Sequence, residues 1–202
     1  MYGKIEKKDG TGMKEILLIN VCVRKQSRTL ELARYLLSFL DGHVTEVRPA
    51  EMEFPVSDEA FLEKRDRLIR ENATDDVLFE QARQFAKADM IVIAAPYWDL
   101  SFPAALKQYF EQVNVIGITF RYTPEGIPEG LCKAKKIWYV MTAGGMFAPE
   151  EYGCGYVRAL AEGYYGIHEI KLYKALGLDI VGADPEEIMR QAKKTIAEDF
   201  AK

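Results

Sequence analysis

Residues 17–37 read LLINVCVRKQSRTLELARYLL, and the hydrophobic period changes in the middle of that stretch. The first part is a continuous apolar run, the pattern of a strand covered on both faces of a parallel sheet. The second places Leu30, Ala33, Leu37 and Leu40 on one helical face. Between them lies a polar, basic turn, VRKQSRT. Strand, turn and helix in this order open a βαβ unit, and the turn stands at the carboxyl end of its strand, where doubly wound sheets bind ligands.

The rest of the chain repeats the alternation. Apolar runs predict strands over 15–21 and 90–95, with shorter ones over 44–48, 137–142 and 169–173. Leu106, Tyr109, Phe110 and Val113 predict a helix with Pro103 in its first turn. Asp184, Pro185 and Glu187 stand in capping-box order before Ile188, Ala192 and Ile196, which marks a last helix. The charged block 57–87 reads as two solvated helices broken near residues 72–75. The fold class expected is α/β, a doubly wound five-stranded parallel sheet with helices on both faces. The polar residues 1–12 read as a loose extension before a single domain over 13–202.

The chain has 202 residues, 49% of them hydrophobic, enough for one domain with a sizeable core. Its formal charge of -4 supplies no basic field for a nucleic-acid backbone. The longest apolar stretch, MIVIAAPYW, falls well short of the ~18 residues a membrane span needs. With no charged leader visible, a cytoplasmic protein is expected. Cys22, Cys132 and Cys154 are odd in number and lack metal-site spacing, so buried free thiols are the reading and no metal site is expected. His43 and His168 stand alone, without a triad or metal pattern.

Three loops at strand ends could carry chemistry. In the first, a helix N-terminus offers unpaired N–H groups to an anion, Ser27 and Thr29 add hydroxyls, and Arg24, Lys25 and Arg28 add charge. The turn contains no glycine, which argues against a dinucleotide fingerprint and for a monophosphate. The bland alternative makes Ser27 only an N-cap. The second loop carries Pro96, Tyr97, Trp98, Asp99 and Leu100, whose aromatics could face a flat ring or simply pack beneath the loop. The third, MTAGGMF, holds Gly144 and Gly145, which admit a close ligand or make only a turn. Together the loops describe a pocket for a phosphorylated planar cofactor.

These residues resemble the FMN-dependent NADH-azoreductases and NAD(P)H quinone reductases of the flavodoxin-like fold. The likeness spans about residues 13–200. It is most specific in VIAAPYWDLSFPAALKQYF (92–110) followed by GITFRYTPEGIPEGLCKAKK (117–136). The resemblance implies that Ser27, Arg28 and Thr29 hold the FMN phosphate. It implies that Tyr97, Trp98, Asp99 and Leu100, after Pro96, line one edge of the isoalloxazine and that Thr142, Ala143, Gly144 and Gly145 line another. Tyr122 and Tyr164 would reach the substrate cleft from the partner of a homodimer. Cys22 stands where many relatives have a phosphate-binding Ser, Asp99 replaces a common Asn, and Ala143 a common polar residue. Asp99 either faces the ring or caps the helix beginning near Pro103.

The function expected from the resemblance is an enzyme that binds FMN noncovalently. By a ping-pong mechanism it would pass two electrons from NADH or NADPH to a small-molecule acceptor such as a quinone or azo compound. A one-electron flavodoxin-type carrier and a flavin-free interaction domain would share the same fold.

Overall fold

The computed structural model describes residues 13–201; the expected extension 1–12 lies outside the described residues. The chain runs β1 (Glu15–Asn20), α1 (Arg28–Leu37), β2 (His43–Val47), α2 (Glu59–Arg70), α3 (Glu80–Lys87), β3 (Met90–Ala94) and α4 (Ala104–Val113). It continues through β4 (Phe120–Tyr122), β5 (Pro128–Gly130), β6 (Lys136–Thr142), α5 (Cys154–Leu160), β7 (Glu169–Ala175) and α6 (Pro185–Phe200). The main sheet has the order β2-β1-β3-β6-β7 and every pairing in it is parallel. All five strands read from the sequence are present.

Alternate residues of the continuous runs feed two cores, as they must when both faces are covered. Leu17, Ile19, Ile91, Ile93 and Tyr139 face α3, α4 and α5, where they meet Phe85, Leu106, Tyr109, Phe110, Val157 and Tyr165. Ile16, Leu18, Val92, Ala94 and Val140 face α1 and α6 and meet Leu32, Leu36, Met189 and Ile196. Fully burying one such side chain is worth roughly 1.5–3 kcal/mol relative to leaving it exposed. The doubly wound fold is the result.

Local signals fix the helix ends. Asp184 caps α6 by accepting from the amides of Glu186 and Glu187. The reciprocal half of the capping box is missing, because Glu187 instead accepts from Gln191 and pairs with Arg190. Asn72, at φ 54°, breaks the charged block into α2 and α3 near the expected place. Pro103 is the N-cap of α4 rather than a first-turn residue, and α4 has no side-chain cap. Asp99 therefore does not cap that helix.

Two features were not read from the sequence. The antiparallel pair β4–β5 forms a separate small sheet between α4 and β6. α5 continues into a π-helical turn, Ala161–Tyr165, closed by Gly166 in the left-handed region. Because α4 runs back antiparallel to the strands and β5 leads into the start of β6, this hairpin lies toward the amino-terminal edge of the sheet.

Candidate functional site

Strand order reverses beside β1, and a cleft of about 280 Å³ opens beyond the carboxyl ends of β1, β3 and β6. Its wall comes from four loops. Cys22, Val23, Arg24, Gln26, Ser27, Arg28 and Thr29 follow β1; Pro96, Tyr97 and Trp98 follow β3; Thr142, Ala143 and Gly144 end β6; Leu178 and Asp179 follow β7.

The β1 loop folds around Asn20, a buried residue at the end of its strand. Its Oδ1 accepts from the Cys22 amide at 2.9 Å and its Nδ2 donates to Glu46 on β2 at 2.8 Å. Cys22 turns its thiol inward onto the Ala94 carbonyl. Burial pushes that thiol above the usual range, against a lowering hydrogen bond from Ser27. It is a packed neutral group.

Ser27 is the N-cap of α1, its Oγ accepting from the Leu30 amide at 3.2 Å. Capping uses a lone pair and leaves the hydroxyl proton to donate, to the Cys22 sulfur or to an acceptor in the cleft. The capping and anion-binding readings of Ser27 are compatible. Among the described residues the amides of Arg28 and Thr29 have no hydrogen-bond partner, so the α1 N-terminus presents two free donors. Thr29 is buried, and its Oγ1 lies 2.6 Å from Thr142 Oγ1. One hydroxyl of that pair donates to the other, so one proton stays uncommitted at the cleft wall. Free amides, uncommitted hydroxyl protons and a helix N-terminus fit a phosphate, the group that FMN would place there.

Arg28 lines the cleft with its guanidinium already engaged. Its Nη1 sits 2.9 Å from Asp179 Oδ1 and 3.4 Å from the Leu178 carbonyl, so the guanidinium is engaged by the loop after β7. That loop is zipped to the one after β6: the amides of Gly177, Leu178 and Asp179 donate to the carbonyls of Gly145, Ala143 and Gly144.

The aromatic loop is held on its outer side. The Tyr97 amide donates to the Thr142 carbonyl, its hydroxyl donates to the Pro149 carbonyl at 2.9 Å, and Ser101 Oγ donates to the Tyr152 carbonyl. Trp98 and Ser101 exchange two backbone hydrogen bonds around Asp99 and Leu100, which have φ of 48° and 65°. Two left-handed central residues make a type I′ turn. Asp99 and Leu100 form its exposed tip and do not line the cleft, whereas Pro96, Tyr97 and Trp98 do.

Gly144 lines the cleft and Gly145 does not. A Cβ on Gly144 would come 2.5 Å from Asp179 Oδ2, while one on Gly145 would meet nothing within 4 Å. The glycine at 144 makes room for a carboxylate of the chain itself.

Tyr122 and Tyr164 are brought together, but away from the cleft. Phe120 stacks on Tyr164 with ring centres 4.5 Å apart, and hydrogen bonding to Tyr164 raises the pKa of the Tyr122 hydroxyl. The π turn lets neighbouring residues diverge, Tyr164 toward the hairpin and Tyr165 into the core, where its hydroxyl donates to Asn114. Within one protomer these tyrosines sit toward the amino-terminal edge of the sheet and line no part of the cleft.

Sequence reasoning missed the cleft positions of Val23, Gln26, Leu178 and Asp179. The signal for the last two was the carboxyl end of a fifth strand, left out of the three-loop pocket.

A parallel sheet of order β2-β1-β3-β6-β7, with a phosphate-ready helix N-terminus at its switch point, defines a flavodoxin-like, mononucleotide-binding architecture. The chain belongs to the family described as having the flavodoxin-like fold, which it matches over residues 14–200. It is 32% identical over 188 residues to an FMN-dependent NADH:quinone oxidoreductase of Coprothermobacter proteolyticus, covering 88% of this chain and 92% of that one. To a protein of the same name from Lachnoclostridium phytofermentans it is 41% identical over 126 residues, a match spanning 61% of this chain and 63% of the relative's length. Among solved structures it resembles an azoreductase from Bacillus anthracis, with TM-score 0.78 and 25% identity over 93% of this chain and 99% of that one. Among the described residues no helix is long and apolar enough to cross a membrane.

Proposed function

We propose that the cleft binds FMN noncovalently and that the protein is an NAD(P)H oxidoreductase. It passes two electrons, by a ping-pong sequence, to a quinone, azo compound or similar small acceptor. One observation carries this reading: uncommitted donors at the α1 N-terminus and an aromatic rim at Tyr97 and Trp98 share one cleft at the switch point. The names of the relatives support the same chemistry. FMN, when bound, supplies the hydride and electron chemistry.

The chain's own part is binding and exclusion. Ser27 and the amides of Arg28 and Thr29 hold the phosphate, and the Thr29–Thr142 pair donates its free proton next to it. Tyr97 and Trp98 flank the ring, which meets the backbone after β6 on another edge. Nicotinamide and acceptor then use the same open face in turn.

The active species in this reading is a homodimer, and Tyr122 and Tyr164 line the acceptor face of the partner's cleft. Trp98 at the cleft and Leu100, Phe147 and Tyr152 on the segments that follow β3 and β6 are exposed apolar side chains, of the kind an interface covers.

The test is a flavin titration followed by steady-state assay with NADH and NADPH against quinones and azo dyes. FMN is expected to bind far more tightly than riboflavin, and parallel double-reciprocal plots are expected for at least one acceptor. A protein that binds neither flavin would refute the reading.

A further inference from the structure

Asp179 is an acid in a cleft otherwise built for an anion. It lines the same cavity as Ser27, Arg28 and Thr29, its Oδ1 holds the Arg28 guanidinium at 2.9 Å, and its Oδ2 fills the space that a side chain at position 144 would need. Its amide donates to the Gly144 carbonyl at 3.0 Å. Backbone and side chain together fix the carboxylate across the mouth, between the phosphate helix and the loop after β6.

We propose that Asp179 is a specificity-determining residue that holds down the affinity of the cleft for phosphate, by engaging Arg28 and by adding a negative charge beside the anion. This rests on the flavin mononucleotide reading given above. A phosphate at the α1 N-terminus meets amides and hydroxyls directly, while the Arg28 guanidinium is already shared with a carboxylate. Exposed pairs such as this contribute little to stability, so the effect falls on the ligand rather than on the fold. Replacing the acid removes the repulsion and frees Arg28 for a charge-assisted hydrogen bond.

The test is a fluorescence titration of wild type, Asp179→Asn and Asp179→Ser with FMN and with riboflavin. Both variants are expected to bind FMN about tenfold more tightly and riboflavin within about twofold of wild type. Arg28→Gln is expected to weaken FMN more in the Asp179→Asn background than in wild type, because only there is the guanidinium free. An unchanged or lowered preference for FMN in both variants would overturn the proposal. Equal shifts for both flavins would do so too, by reducing Asp179 to a structural strap. A wild type without preference for FMN would overturn the phosphate reading itself, and this inference with it. A wild type that prefers FMN, with variants that leave the preference unmoved, would overturn only the role of Asp179.

Discussion

The hydroxyl oxygens of Thr29 and Thr142 lie 2.6 Å apart in a buried contact that ties the first turn of α1 to the end of β6. Thr142→Val keeps the shape and leaves the Thr29 hydroxyl buried without its partner, which is expected to cost roughly 1–3 kcal/mol. The double variant Thr29→Val/Thr142→Val removes both polar groups and should be more stable than Thr142→Val alone. Urea unfolding measures both values, and strictly additive losses would show that the two hydroxyls do not depend on each other.

If Tyr122 and Tyr164 serve the partner's cleft, two inactive variants should rescue each other. Ser27→Ala/Thr29→Ala spoils the cleft and Tyr122→Ala/Tyr164→Ala spoils the aromatic pair. Reassorted mixed dimers then contain one intact site, giving about a quarter of wild-type activity for a random mixture. No recovery, with mixed dimers verified by mass spectrometry, would place the tyrosines outside the partner's site.

Leu100 holds φ of 65° at the tip of the aromatic loop and is half exposed. A side chain in that region costs roughly 1–2 kcal/mol, against roughly 0.5–1 for the added freedom of glycine in the unfolded chain. Leu100→Gly is expected to raise stability by up to about 1 kcal/mol, and Asp99→Asn to be neutral or better, since Asn tolerates φ of 48° well. Thermal melts of the two variants check this.

Burial pushes Cys132 up to about 12 and Cys154 up to about 11, from an ordinary value of 9.0. Above pH 9 the unfolded chain loses protons that the folded chain keeps, so stability is complete below that pH and falls as pH rises toward the folded values. The slope is on the order of 1.4 kcal/mol per pH unit for each thiol. Denaturant titrations from pH 8 to 10.5 measure it, and Cys132→Ala is expected to flatten the slope. At pH 8 the native thiols should resist a disulfide reagent that reacts with all three in urea.

The centre of the sheet was legible because β1, β3 and β6 are buried on both faces, which leaves continuous runs that no surface helix shows. α1 was legible in place and, in part, in face. Leu30 and Ala33 are buried as expected and Leu37 and Leu40 pack partly buried against the same core, but Thr29, Leu32 and Leu36 widen the buried side, Thr29 through a hydroxyl contact that no hydropathy pattern encodes. The three-residue strands of the hairpin are too short for a period to register, and the glycines at 153, 155 and 163 obscured the helix that carries Tyr164. Most of the cleft could be named from loops that follow apolar runs. Asp179 was missed because the loop after β7 was left out of the pocket, and which strand ends share a pocket depends on β7 lying beside β6, an order not written in local pattern.

The three amides donated by Gly177, Leu178 and Asp179 have a consequence for local opening. These residues belong to a connecting loop, where amide hydrogens ordinarily exchange with water within seconds, yet each is locked to a carbonyl of the neighbouring loop. They should exchange as slowly as β7 frays and no faster. β7 is the edge strand of the sheet, so the cleft wall gives way when that edge peels, well before the central strands do. A bound ligand then acts as a clamp on the sheet edge, and the protection it confers at 177–179 reports occupancy from within the protein.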